Sequence, residues 1–368
     1  MRVPGRLASV HTLPHYDIFV SPHHLAILNQ NVWREETVPA YIDYGKGPRP
    51  IQLKYRGAHS RFYDKKSFYI KMNEREWHLN ADAVDPSHIR SKWSFDLFAA
   101  LSVLSPKAAH VTVSLNGQLL GIYTLLESVD RKFLARRRLP GGDVYYAVDN
   151  RANFSIALSG SGKKLKHALT EGYELKERIS PLPWRSLAHF VWELNTLPDL
   201  RLASWLKTYV DIPYYLRWLA GIVLTGNLDG FIHNYALYRD LRRGKWRIIP
   251  WDYDGTWGRD CYGKRADASQ VPLFGYNRLT ERVLSVPPFR RHYLKLMAAL
   301  LDGYFTPKHM MQHALSLMSR VRPAVSNAAG GRREIVQRFD AEADVFRSYI
   351  IQRRQFLKRE LSKQMSIG

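Results

Sequence analysis

A single cysteine, Cys261, among 368 residues excludes an intramolecular disulfide and a cysteine-built metal centre. It reads as a small filler near the functional site rather than as a reactive thiol. Long apolar runs are missing too: none approaches the roughly 18 residues that a membrane-spanning helix needs. The opening residues, MRVPGRL, lack the apolar core of a signal peptide, so synthesis and residence in the cytoplasm are expected. Negative charge is scarce, with 33 Asp+Glu against 55 Lys+Arg and a net charge of +22. Such an excess favours polyanions, whether nucleic acid, acidic protein or nucleotide phosphates. The basic residues are nevertheless dispersed, clustering only at 136–138, 163–166 and 242–243, with no recognisable nucleic-acid module. Specific nucleic-acid binding is therefore not expected, and the charge reads as a solvated surface. Histidine pairs do not make a metal site. His11 and His15 are four apart, but Pro14 interrupts the helix that would align them, and His23 with His24 lacks further ligands. A Gly-x-Gly-x-x-Gly phosphate loop is absent, and no internal repeat is evident.

What is present centres on residues 225–260. Segments 236–239 and 246–251 are rich in aromatic and branched residues, and the polar stretch between them ends in Gly244, which predicts a β-hairpin. Antiparallel pairing would bring Asp229 and Asn234, before the first strand, beside Asp252 and Asp254, after the second. Phosphoryl transfer of the protein-kinase type uses this arrangement: an aspartate orients the acceptor hydroxyl, an asparagine five positions later takes one Mg²⁺, and the first aspartate after a hairpin holds the metal that bridges the ATP phosphates. A small hard cation takes oxygen ligands of this kind. The signature is imperfect. Asn227-Leu228 replaces His-Arg before the aspartate, and Asp252-Tyr253-Asp254-Gly255 replaces Asp-Phe-Gly. The plainer reading is that these residues cap turns and hairpin ends.

The preceding chain supplies candidates for the nucleotide. Strands are expected at 16–20, 41–44, 51–56 and 65–71, with a short helix at 24–33. The turn 57–61 would lie over the phosphates, with Arg56, His59, Ser60 and Arg61 as phosphate contacts. Alternation sets Lys66 on the side of Phe68 and Ile70, making it the better candidate for the phosphate-neutralising lysine, with Lys65 as the other. A helix from Asp85, its N-cap, to about Leu101 follows, and its interior acid, Asp96, is short for pairing with that lysine. Residues 111–127 form a hairpin turning at Asn116-Gly117, and Asp130 caps a helix over 131–138. Glu127 stands at the hinge position, to meet a nucleotide or an arginine. Another strand covers 141–148, residues 149–180 read as irregular, and helices are expected at 184–194, 214–224, 278–284, 288–301, 307–321 and 340–361. Trp246 lies about 20 Å behind Asp252 along its strand at ~3.3 Å per residue, the scale of a nucleotide, so it is a candidate for adenine stacking, opposite Tyr146. Both also read as core aromatics.

The runs NLDGFIHNYALYR (227–239) and IPWDYDGTWGRD (249–260) closely resemble the spore-coat CotH family, as do YRGAHSRF (55–62), KKSFYI (65–70), LSPK (104–107), GIYTLLESVD (121–130) and YYLRWLAGIV (214–223). The resemblance covers most of the chain. It implies an atypical ATP- and Mg²⁺-dependent kinase, made in the mother cell and assembled into the spore coat, that phosphorylates serines of other coat proteins. The expected fold is α+β and two-lobed, with a β-rich N-terminal lobe over 1–127 and a mainly helical C-terminal lobe over 128–368. Asp229 would be the catalytic base; Asn234 and Asp252, and more weakly Asp254, would hold Mg²⁺; Arg56 and Lys66 or Lys65 would meet phosphate. An AMP transferase on the same scaffold and a non-catalytic coat scaffold are the alternatives.

Overall fold

A computed structural model describes residues 13–157 and 166–366. His11 and most of the basic cluster 163–166 lie outside the described residues. The fold is mixed α+β, β-rich in its N-terminal part and helical in its C-terminal part. The chain falls into two compact units: Met1–Lys92, Ala108–Glu127 and Gln312–Asp344 form the first, and Trp93–Lys107, Ser128–Met311 and Val345–Gly368 the second.

The first unit is built on a seven-stranded closed barrel. Its strands are β1 (His15–Phe19), β2 (Val38–Asp43), β3 (Arg49–Arg56), β4 (Ser67–Met72), β5 (Arg75–Asn80), β6 (Ala108–Leu115) and β7 (Gln118–Glu127). Alternating burial along β2 and β3 sends Val38, Ala40, Ile51 and Leu53 inward, where they meet Ile18, Leu79 and Val113. The expected Asn-Gly turn joins β6 to β7, with Asn116 and Gly117 at φ 50° and 82°, as a two-residue turn of this hand requires. Parallel pairing of β1 with β6 closes the barrel. The strand expected from Lys65 begins at Ser67, so both lysines precede it.

The helix expected from Asp85 starts instead at Arg90. Asp85 turns its carboxylate onto the Ser87 amide (2.9 Å) and hydroxyl (2.6 Å), and His88 adopts φ 57°, which a continuing helix forbids. Arg90 is fully buried between Asp85 and Glu342, the latter at 2.7 Å.

The second unit contains an antiparallel sheet in the order β11-β10-β8-β9, from β8 (Gly142–Ala147), β9 (Tyr173–Glu177), β10 (Tyr235–Asp240) and β11 (Lys245–Pro250). β9 falls in the stretch expected to be irregular. A helix at Asp199–Tyr209, also unexpected, follows the one at Pro183–Thr196. The apolar helix Ile212–Thr225, almost wholly buried, leads into Asp229 and is here called the approach helix.

A helix leaves its last four carbonyls without intrahelical partners. Each of those of the approach helix is met: Ile222 by the Gly226 amide (3.1 Å), Val223 by two nitrogens of Arg353 (2.9 and 2.7 Å), Leu224 by the Tyr349 hydroxyl (3.1 Å) and Thr225 by the Trp257 amide (2.9 Å). Gly226 is at φ 70°, and a Cβ there would stand 2.3 Å from the Tyr349 oxygen, so the position demands glycine. Arg353 is fully buried and also donates to the carbonyls of Ala268 (2.8 Å) and Val271 (2.6 Å). Arg353→Met removes donors from three buried carbonyls. It is expected to destabilise the protein by about 3 kcal/mol or more, read as a lower midpoint in urea unfolding.

Candidate functional site

The hairpin β10–β11 pairs in full register from Tyr235↔Pro250 to Asp240↔Lys245. At its turn, Asp240 accepts the amides of Arg242 and Arg243, and Gly244 supplies φ 68°. At its open end the Trp251 amide donates to the Asn234 carbonyl (3.2 Å), so Asn234 and Asp252 leave the sheet side by side. Both adopt left-handed backbone, at φ 58° and 59°. Asparagine and aspartate tolerate this region better than most residues, and such strained positions concentrate at functional sites.

Asp229 opens a single 3₁₀ turn, Asp229–Phe231, whose carbonyl accepts the amides of Ile232 (3.0 Å) and His233 (2.9 Å). Asn227 fixes this loop to the hairpin. Its buried carboxamide accepts the Gly230 amide (2.9 Å) and donates to the Asp252 carbonyl (3.3 Å). Gly230 is closely packed, since a Cβ would lie 2.8 Å from the Ile222 Cδ1 methyl and 3.3 Å from the Asn227 carboxamide carbon. Asn227 stands where the sequence departs from the protein-kinase signature, which hid its role; a buried asparagine bracketing a turn was the available signal.

Asp229, Asn234, Asp252 and Asp254 are all partly exposed. Among the described residues no protein donor reaches the Asn234 carboxamide oxygen or the Asp252 carboxylate, and no three His, Cys, Asp or Glu side chains form a ready metal cage. Mg²⁺ is ordinarily held by one or two carboxylates, with water and phosphate completing its shell, so this sparse oxygen set fits that ion better than a zinc-type centre. Asp254 accepts the Gly255 amide (2.9 Å). Cys261 closes the acidic corner. Burial first, and then the charges of Asp229, Asp260 and Asp254, push its thiol up to about 11. Gly255 admits this approach, because a Cβ would lie 2.8 Å from the Cys261 amide.

The two aromatic candidates differ in surroundings. Tyr146 is half-buried, 4.9 Å ring to ring from Trp251, and its hydroxyl accepts the Val129 amide (2.9 Å). Trp246 is buried against Phe190 (5.1 Å) and Tyr145 (5.9 Å). The basic candidates belong to the first unit. Arg56 donates to the Asn80 carboxamide. Lys65 donates to the carbonyls of Ala81 and Ile122 and lies 4.5 Å from the Tyr123 ring centre; burial lowers it to about 8 against the opposing pull of Asp82 and Asp85. Lys66 donates to the Arg61 carbonyl (2.7 Å). In the turn after β3, Gly57 is at φ 106° and Arg61 pairs with Glu35 (2.7 Å), while the His59 side chain lies outside the described set.

The raised Cys261 thiol gives a pH test. The thiolate forms only as pH climbs toward 11, so alkylation should keep accelerating about tenfold per unit past pH 9, where an ordinary thiol levels off. Asp229→Asn removes one of the charges that oppose ionisation. It should speed alkylation at pH 8 by roughly threefold to tenfold, as measured with iodoacetamide.

Comparison with known proteins places these residues in a family. The CotH kinase protein family model matches residues 53–357. The inner spore coat protein H of Bacillus subtilis (strain 168) is 42% identical over 357 residues, covering 95% of this chain and 98% of that protein. The inner spore coat protein H-like protein of the same strain is 25% identical over 285 residues, covering 77% of this chain and 80% of that protein. Among solved structures, the Helicobacter pylori proinflammatory kinase CtkA aligns with a TM-score of 0.34 at 11% identity, covering 81% of this chain and 95% of CtkA. The HipA chain of the Shewanella oneidensis MR-1 toxin–antitoxin complex aligns with a TM-score of 0.35 at 12% identity, covering 96% and 76%. With the family model spanning the hairpin, the Asp229 loop and most of the barrel, the chain belongs to the CotH family.

Proposed function

We propose that this protein is an atypical Ser/Thr protein kinase that transfers the γ-phosphoryl group of ATP to serines of other spore-coat proteins, within the coat that its CotH relatives name. The observation that carries the reading is the convergence of Asp229, Asn234 and Asp252 at the open end of one hairpin, locked by Asn227 and with two oxygen-bearing side chains uncommitted. The acceptor serine Oγ attacks the γ-phosphorus, the bond to the β-phosphate oxygen breaks, and ADP leaves. Asp229 orients that hydroxyl and takes its proton. Asn234 and Asp252 hold Mg²⁺, with Asp254 as a further carboxylate; when bound, the ion neutralises charge on the transferring phosphates.

Lys66 and Arg56 are the proposed phosphate contacts. Lys65 has two of its three donors on backbone carbonyls, whereas the Lys66 bond to the Arg61 carbonyl leaves two free to turn outward. Tyr146, packed on the residue before Asp252, is the better-placed aromatic for adenine. Trp246 would have to leave Phe190 and Tyr145 to take that part.

The reading is tested by incubating the purified chain with Mg²⁺ and a recombinant coat protein, using ATP labelled separately at the γ- and α-phosphates. Protein-bound γ label without α label is expected, falling at least about 100-fold in Asp229→Asn and in Asp252→Asn. Transfer of α label would make the protein an AMP transferase. Absence of both labels together with absence of ATP binding would leave a non-catalytic coat scaffold.

A further inference from the structure

A cleft of about 900 Å³ opens in the second unit beside the Asp229 loop. Ile232, three positions after Asp229, forms part of its wall. Tyr276 joins the wall to the loop, donating its hydroxyl to the Leu228 carbonyl with its ring 4.7 Å from that of Phe231. Burial first, and the Asp229 charge second, hold the Tyr276 hydroxyl in its protonated form, which marks how near the cleft comes to the proposed base. The volume is at the upper end for small-molecule sites and accommodates several residues of an extended chain.

The charges along the cleft are unevenly satisfied. Arg278 is held between the Asn195 carboxamide (3.1 Å) and Glu281 (2.7 Å). Arg290 is different. Its guanidinium lies 4.7 Å from the Phe274 ring centre and donates to the Gln364 carboxamide, and among the described residues no carboxylate comes within ion-pair reach of it. An exposed, ring-backed guanidinium presents a planar fork of donors matched to a carboxylate or a phosphate. At the loop, Asp229, Asp254 and Asp260 gather around Cys261 and repel anions. Among the described residues the cleft thus has one place for a negative side chain, and it lies at Arg290.

On the kinase reading above, we infer that this cleft seats the acceptor segment of the protein substrate, with an anionic side chain on Arg290 while the serine to be modified reaches Asp229. The anion is either a carboxylate of the segment or a serine phosphorylated in an earlier turnover. In the second case each transfer prepares the next, and serine-rich substrates are modified in succession.

The test uses fluorescent Gly/Ala-based peptides with one central serine and a second position, walked along the peptide, that holds Ser, phosphoserine or Glu. Binding to the full chain is read by anisotropy, and γ-phosphoryl transfer is read in parallel. At one spacing the anionic peptide should bind about tenfold tighter than its Ser counterpart. That ratio should fall to near one in Arg290→Gln and persist in Arg291→Gln, which removes the same charge from an exposed neighbour on the same helix. Preference for both phosphoserine and Glu supports the inference with any anion as anchor; preference for phosphoserine alone supports it with phosphate as anchor. No preference at any spacing, a preference that survives Arg290→Gln, or one lost equally in Arg291→Gln overturns it. The two readings fail separately: preference without transfer removes the kinase and keeps the cleft, while transfer without preference does the reverse.

Discussion

The capped end of the approach helix is the constraint on which the candidate site depends. Its four last carbonyls are met by residues 226, 257, 349 and 353, so the end of one helix ties together the loop of Asp229, the segment after the hairpin and the C-terminal helix Glu342–Met365. Asp229 follows only four residues beyond that end. Trp257 is the most constrained of the four partners. It adopts φ 53°, its ring stacks 3.9 Å from that of Trp93, and its indole N–H donates to Ser94 (2.8 Å). A bulky residue in left-handed backbone is costly, and here close packing on every side holds it in place.

Charge is arranged against the average. The chain carries +22, yet the site gathers Asp229, Asp254 and Asp260 around one thiol, and the buried guanidinium of Arg353 donates to the carbonyls of Val223, Ala268 and Val271, with no carboxylate paired to it among the described residues. The three carboxylates thus share one corner of a chain whose net charge has the opposite sign.

Much of this was legible in sequence where the determinant was local. Asn116-Gly117 fixed one hairpin, the aromatic runs about Gly244 fixed another, and Asp130 caps its helix through the Phe133 amide at 2.7 Å. What escaped was non-local or concealed by composition. Strand β9, YELKE, carries too much charge to read as a strand, but it pairs only with β8, and an edge strand tolerates charge well. The barrel closes by pairing β1 with β6 across nearly the whole first unit, and no short-range pattern announces that. Asp85 had every mark of a helix cap, yet it satisfied Ser87 and Arg90 first. The role of Asn227 needs both the Asp229 loop and the hairpin to be folded before it can be seen.

The buried triad of Asp85, Arg90 and Glu342 has a consequence for how the chain is made. Asp85 and Arg90 leave the ribosome long before Glu342, which is separated from Arg90 by 252 positions. Until then Arg90 lacks the Glu342 carboxylate, in a setting where a buried guanidinium is costly without its partners. The barrel strands can pair as they emerge, but the first unit cannot reach its final packing vectorially. Its completion awaits a segment translated after almost all of the second unit, so the nascent protein passes through a long interval in which the barrel is made but its unit is still unfinished and exposed to chaperones.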